Sequence, residues 1–96
     1  MSTYFAALID IHDPERYARY LDGFDQVFQR YRGEVVAVED SPRVLEGEWP
    51  AGRTVLIRFP DDEALLEWYR SPEYQALALH RRGASACNIA MLTGRD

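Results

Sequence analysis

Two side chains are placed where they could supply acid–base or charge-stabilising chemistry. His80 lies in a helical pattern, and an imidazole exchanges its proton near neutral pH, so it is a candidate general base. Arg58 interrupts an apolar strand pattern, so its charge requires a carboxylate or an anionic ligand. We predict both as catalytic candidates that would stabilise an enolate or a carboxylate. Two structural alternatives stay open: His80 complementing a helix dipole, and Arg58 in an ion pair between subunits.

A cluster of aromatic side chains offers a place for a ligand. Tyr20, Trp68 and Tyr74 lie on the apolar faces of two predicted helices. Buried tyrosine hydroxyls need hydrogen-bond partners, and several together can line a pocket for a flat organic molecule. We therefore predict these three as substrate-binding residues, with simple core packing as the alternative.

The remaining chemistry-bearing residues form no recognisable site. The sequence has no glycine-rich phosphate loop, no HExxH and no paired cysteines, and two distant histidines, His12 and His80, cannot hold a metal. We predict no metal and no cofactor. Cys87 has no partner for a disulfide, which predicts a small buried side chain in a reducing cytoplasm.

Composition excludes several classes of protein. The chain has 96 residues, 47% of them hydrophobic, which predicts a single packed domain over 1–96. Its net charge of −5 argues against nucleic-acid binding. No apolar run is long enough to span a membrane, and we expect no secretory signal. All eleven basic residues are arginine, so chemistry based on a lysine Schiff base is excluded.

The first half of the chain predicts strand, helix and two strands. An apolar run over 3–11 is typical of a strand, and Asp13-Pro14 then begins an amphipathic helix of about five turns that ends at Gly33. Residues 34–39 alternate as a strand, and residues 43–48 are expected to resume extended structure after a break at Pro42. Residues 54–59 are a further strand.

The second half predicts a bent helix and a final strand. Asp61 begins the helix, Ser71-Pro72 bends and restarts it, and Gly83 ends it. Residues 86–92 follow as a strand. The order strand–helix–strand, twice, predicts an α+β ferredoxin-like fold: split βαβ halves with two helices on one face of an antiparallel sheet.

The uncovered face of this sheet is unusually apolar. It carries mainly Tyr4, Ala6, Leu8, Leu56, Ala90 and Leu92. A patch of that size is rare on a soluble monomer, which predicts a homodimer with sheet packed on sheet.

Several motifs are distributed over the chain: Asp13-Pro14-Glu15 followed by Tyr17 and Tyr20, Glu46-Gly47-x-Trp49, and above all the segment from Phe59-Pro60 to Tyr74-Gln75. With these motifs the sequence resembles, over nearly its whole length, a bacterial family called domain of unknown function 1330. Asp61 stands where a serine is expected, and either residue caps a helix. The resemblance implies a dimeric α+β barrel and no particular reaction.

Relatives with this architecture include cofactor-free monooxygenases, isomerases, cyclases and haem-binding proteins. The resemblance, together with the aromatic cluster, favours a cofactor-free enzyme acting on a hydrophobic or aromatic small molecule, although it does not decide that the protein is an enzyme. A non-catalytic ligand-binding dimer and a purely structural homodimer are the alternatives. An open cavity would favour the first two hypotheses over the third.

Overall fold

The computed structural model describes residues 1–96 as one four-stranded sheet with three helices. The strands are β1 (Thr3–Ile11), β2 (Glu34–Glu39), β3 (Arg53–Phe59) and β4 (Ser85–Thr93), and the helices are α1 (Pro14–Phe28), α2 (Asp62–Tyr69) and α3 (Pro72–Ala84). The sheet order is β2-β3-β1-β4, and every neighbouring pair is antiparallel. This arrangement confirms the predicted ferredoxin-like α+β fold. None of the helices is long and apolar enough to cross a membrane.

The central strand β1 shows the alternation expected of a sheet covered on one side. Phe5, Ala7 and Ile9 are buried, whereas Ala6 and Leu8 between them are only half-buried. The buried set lies opposite Ile57 and other apolar residues of β3 and β4. The helices therefore cover one face, and the core lies between them and the sheet.

The core is built from aromatic rings packed around Trp68. This side chain is fully buried and meets Phe5, Phe28 and Tyr74 with ring centroids 4.3–5.6 Å apart. Phe59 stacks on its other side at 5.5 Å. Such offset and edge-on pairs add to the burial of apolar area, so Trp68 joins α2, α1 and the sheet.

The three helices begin at the predicted capping residues. The Asp61 carboxylate accepts a hydrogen bond from the Ala64 amide at 2.8 Å. The Ser71 hydroxyl accepts from the Tyr74 amide at 3.2 Å and donates to the Trp68 carbonyl at 2.8 Å. Ser71 thus joins the end of α2 to the start of α3, which confirms the predicted bend. The predicted second helix is therefore two short helices.

The first helix is shorter than predicted. It ends at Phe28 with Gln29 as its C-cap, after about four turns, and does not continue to Gly33. Tyr31 lies in the turn after the helix, where its hydroxyl donates to the Glu73 carboxylate on α3. Gly33 has another role: a Cβ there would lie 2.7 Å from the buried Phe59 ring. The position needs glycine for close packing rather than for ending a helix.

The third helix also ends differently from the prediction. It continues past Gly83 to Ala84, and β4 begins at once with Ser85. A side chain at Gly83 would overlap the Arg16 guanidinium, which donates to the Leu79 carbonyl at 3.3 Å. Gly83 therefore gives Arg16 room beside α3.

Residues 43–48 do not resume extended structure, and the prediction of a strand there is wrong. They lie in an irregular loop in which Leu45 is 92% exposed. Both edges of β3 are taken by β1 and β2, and the segment does not pair with the free outer edge of β2 or of β4 either. The loop is closed at its base by Arg53 and Asp40, whose Nη1 and Oδ1 atoms lie 2.6 Å apart.

Candidate functional site

A cavity of about 380 Å³ lies between α1 and the sheet, and we call it the α1 cavity. Twelve of its fifteen lining residues are hydrophobic, so it suits a largely apolar molecule. Its walls are formed by Phe5, Ala7, Ile9, Tyr17, Tyr20, Leu21, Phe24, Val35, Val38, Val55, Ile57 and Ile89, together with Asp25, Arg53 and Arg81.

The spacing of aromatic residues on α1 and a bulge on β2 explain which side chains line the cavity. The aromatic stripe of α1 faces the sheet because Tyr17, Tyr20 and Phe24 recur at three- and four-residue spacing. On β2, a bulge between Val35 and Ala37 shifts the register by one residue. Because of that shift, Val35 and Val38 both face the cavity, which strict alternation would not allow.

The cavity has a closed floor and an open side. At the floor, Ala7 and Ile57 are each 1% exposed. Between α1 and the edge strand β2, Leu21, Val38 and Asp25 are exposed. A ligand would therefore enter between α1 and β2 and meet the β1 and β3 side chains at the far wall.

Arg81 is the one charged side chain in the buried part of the cavity wall. It is 3% exposed, and its Nε and Nη2 atoms have no hydrogen-bond partner. No carboxylate lies within 4 Å of its guanidinium, since the ion pairs of the protein involve Arg32, Arg53 and Arg58 only. A cation is therefore held next to an apolar cavity without a counter-charge from the protein.

Two buried tyrosines support this arginine. The Tyr20 and Tyr74 hydroxyls are 2.7 Å apart, and the Arg81 guanidinium lies 5.8 Å from the centre of the Tyr20 ring. Burial raises the pKa of both tyrosines above the ordinary value of 10. Both hydroxyls are therefore neutral at physiological pH and neither can act there as a base, and one of them donates to the other.

Arg53 provides a second guanidinium on the cavity wall, but its charge is balanced. Its Nη1 lies 2.6 Å from the Asp40 carboxylate, and its guanidinium is 5.8 Å from the centre of the Tyr17 ring. Burial raises the pKa of Tyr17, although Arg53 acts in the opposite direction. Arg53 therefore ties the loop to the cavity, and Arg81 is the guanidinium left free.

The structure separates the three predicted substrate-binding residues. Tyr20 lines the cavity, and Tyr74 lies behind it, within hydrogen-bonding distance of its hydroxyl. Trp68 does not line the cavity, because it is enclosed by the aromatic core.

The two predicted catalytic residues do not lie in this cavity either. His80 is half-buried on α3, with its Nδ1 unpartnered, and is not among the lining residues. Arg58 lies at the opposite face of the sheet and forms an ion pair with Glu34, which is directly across from it on β2. A carboxylate from a second subunit is thus not needed to balance Arg58, because the same chain supplies one.

Sequence reasoning missed Arg81, although a signal for it was present. Tyr74, Ala78 and Arg81 are spaced by four and three residues, so Arg81 continues the buried stripe of α3. An arginine at a core-facing position of a helix indicates a buried charge. Arg53 was missed because the third strand was predicted to begin one residue later, at Thr54. In the structure Arg53 is the first residue of β3 and pairs with Ile9.

No group of three or more His, Cys, Asp or Glu side chains is arranged to hold a metal ion. The titratable groups of the cavity are tyrosines, two arginines and Asp25 at the mouth. This arrangement can hold a flat apolar molecule and stabilise negative charge on one of its oxygen atoms.

The sequence matches the family model of DUF1330, a domain of unknown function, over residues 2–95. A comparison with curated proteins gives no significant match.

Solved structures with the same fold have low sequence identity to this chain. A protein of unknown function from Rhodopseudomonas palustris aligns with a TM-score of 0.81 and 21% identity over 99% of this chain and 83% of that one. SnoaB, a cofactor-independent oxygenase from Streptomyces nogalater, aligns with a TM-score of 0.66 and 17% identity over 99% and 94%. A Dabb family protein with a ferredoxin-like fold from Mesorhizobium loti gives 0.66 and 14% over 99% and 98%. At these identities the likeness shows the fold alone.

Proposed function

The chain belongs to the DUF1330 family, and we propose that it binds a flat, largely apolar small molecule in the α1 cavity and converts it without a cofactor. The observation that carries this proposal is the cavity itself, about 380 Å³ in volume and lined mostly by hydrophobic side chains. A protein whose aromatic residues served only to fill a core would leave no space of this size. The purely structural alternative is therefore the least favoured.

The groups around the cavity favour reactions that develop negative charge on a substrate oxygen. Arg81 lines the cavity without a counter-charge, and the buried Tyr20 and Tyr74 hydroxyls lie beside it. Such donors stabilise an enolate or phenolate, the intermediate through which oxygenation by O₂, isomerisation and cyclisation can proceed without a cofactor. SnoaB, which shares the fold, is a cofactor-independent oxygenase, and this supports the proposal by analogy.

Blocking the mouth of the cavity tests the binding proposal. Val38 lines the cavity at its open side, and Val36 is a comparably exposed valine on the same strand that does not line it. We expect Val38→Trp to weaken binding of two-ring aromatic compounds by at least about tenfold, because the indole fills the entrance, and Val36→Trp to leave it unchanged. Isothermal titration calorimetry measures both affinities. Equal affinities in the two variants would contradict binding in this cavity.

Turnover separates an enzyme from a non-catalytic binding protein. We expect a bound polycyclic phenol or β-dicarbonyl compound to be consumed by substoichiometric amounts of protein. Binding without consumption would favour the non-catalytic alternative. Unchanged turnover in His80→Gln and Arg58→Gln variants would contradict the assignment of those two residues as catalytic.

We further propose that the protein forms a homodimer through the open face of the sheet, the face turned away from the helices. Its apolar side chains are Tyr4, Ala6, Leu8, Leu56, Ala90 and Leu92, and none of them is buried within the chain. The molecule is only 16 Å thick along its shortest axis, as expected for a sheet with a single layer of helices. A second copy would cover this face and give each sheet a core on both sides.

A charge introduced on the open face tests the dimer. Leu56 is half-buried at the centre of this face, opposite Ala6, whereas Leu79 is exposed on α3 in the other layer. We expect wild-type protein and Leu79→Glu to sediment with twice the 11.1 kDa chain mass, and Leu56→Glu to sediment as a monomer. Sedimentation equilibrium gives the masses. A monomeric wild-type protein would contradict the proposal.

A further inference from the structure

We infer that the ligand of the α1 cavity carries a planar anionic oxygen group, a carboxylate or the conjugate base of an acidic enol, which is bound by Arg81. This inference rests on the proposed function, because it names the chemical class of molecule that the same cavity takes. It adds the requirement for a negative charge at a defined place in an otherwise apolar site.

The burial of Arg81 requires a partner that the protein does not supply. A guanidinium keeps its charge in proteins, and a buried charge is costly unless it is paired and hydrogen-bonded. Arg53 and Arg58 each form an ion pair with a carboxylate of the same chain. Arg81 forms none, although it is only 3% exposed. The Tyr74 hydroxyl and the Cys87 thiol lie within hydrogen-bonding reach of its guanidinium and the Tyr20 hydroxyl is close by, but none of these is a carboxylate.

The unpartnered atoms are arranged for a planar anion. Nε and Nη2 are the two nitrogens along one edge of a guanidinium, and both are buried without a hydrogen-bond partner. Two parallel N–H groups along one edge match the two oxygens of a carboxylate or of a deprotonated β-dicarbonyl group. A bidentate pair would satisfy both atoms at once when the side chain turns this edge toward the ligand, because neither atom is exposed to the cavity.

The surroundings favour a single negative charge on an apolar body. The only carboxylate that lines the cavity, Asp25, is exposed at the mouth, so the buried wall does not repel an anion. One free guanidinium balances one charge. Neighbouring phenylalanine, isoleucine and valine side chains would desolvate a more highly charged group such as a phosphate dianion at greater cost.

Two probes of matched shape test this inference. 1-Naphthoate and 1-naphthamide share the same two rings and differ in the charge of the substituent. We expect wild-type protein to bind the naphthoate about 10- to 100-fold more tightly than the amide, because hydrogen bonds to a charged group are the stronger ones. Calorimetric titration at constant ionic strength gives both affinities.

Variants at two neighbouring arginines assign the preference to one residue. Arg81→Met and Arg81→Gln are expected to bind both probes equally, whereas Arg82→Met removes the same charge from an exposed position on α3 and is expected to keep the preference. Without ligand, Arg81→Met is expected to raise the melting temperature, because an uncompensated buried charge is replaced by an apolar chain of similar length. A purely structural Arg81 would give a lower melting temperature instead.

The outcomes distinguish this inference from the proposed function. If the amide binds as tightly as the naphthoate, the anion requirement is wrong and the apolar cavity function stands. If the naphthoate preference survives in Arg81→Gln, another group binds the anion and the assignment to Arg81 is wrong. If wild-type protein binds neither probe, the proposed function and this inference both fail.

Discussion

Replacing Trp68 with alanine is expected to lower the free energy of unfolding by about 3–5 kcal/mol. The indole is fully buried and packs against Phe5, Phe28, Phe59 and Tyr74, which come from the sheet and from two other helices. Alanine would leave a cavity where these rings meet. Since a domain of this size is stabilised by about 5–15 kcal/mol in total, the variant should be close to unfolding at physiological temperature.

The second tryptophan provides a matched control. Trp49 is half exposed in the loop before β3, and its only hydrogen bond runs from Nε1 to the Thr54 hydroxyl at 2.9 Å. Trp49→Ala is expected to cost less than about 1.5 kcal/mol. Urea denaturation of both variants gives the comparison, and similar losses in the two would contradict the placement of Trp68 at the centre of the core.

The protein is also expected to lose stability steeply as the pH rises above 10. Burial raises the pKa of Tyr20 and Tyr74 above 10 in the folded state, whereas both ionise near 10 in the unfolded chain. Below pH 10 both states keep these protons and the tyrosines favour neither state. Above pH 10 the unfolded chain loses them first, so stability falls by about 1.4 kcal/mol per pH unit for each tyrosine.

Removing the two hydroxyls together should flatten this dependence. In the Tyr20→Phe/Tyr74→Phe double variant both partners of the 2.7 Å hydrogen bond are replaced, so neither hydroxyl is left without the other. We expect the loss of stability above pH 10 to be smaller by about 2.7 kcal/mol per pH unit than in the wild type. Denaturant titrations at a series of alkaline pH values measure both slopes, and parallel slopes would show that other groups cause the alkaline loss.

Features with a local physical cause could be predicted from the sequence. Alternation in β1, capping by Asp13, Asp61 and Ser71, and the bend between α2 and α3 all depend on residues a few positions apart. The order of the elements then restricts the topology, because right-handed crossovers leave one arrangement of the four strands.

Features that depend on distant neighbours could not be predicted in this way. The glycines at 33 and 83 were interpreted as helix ends, yet at each a side chain from far away in the sequence, Phe59 or Arg16, passes close to the backbone. Residues 43–48 have an extended-looking pattern but pair with no strand of the sheet. A local pattern does not contain either of these facts.

The sequence by itself determined the fold class, the caps and the excess of apolar side chains on one sheet face, because these follow from periodicity and composition. Only the tertiary structure decided that a buried arginine without a carboxylate partner lies beside a cavity. Arg58 pairs with Glu34 because β2 and β3 are neighbours, and Arg81 has no carboxylate partner because no acidic residue of another element reaches it. Whether a buried charge is balanced depends on contacts between elements, and these contacts are made only when the chain is folded.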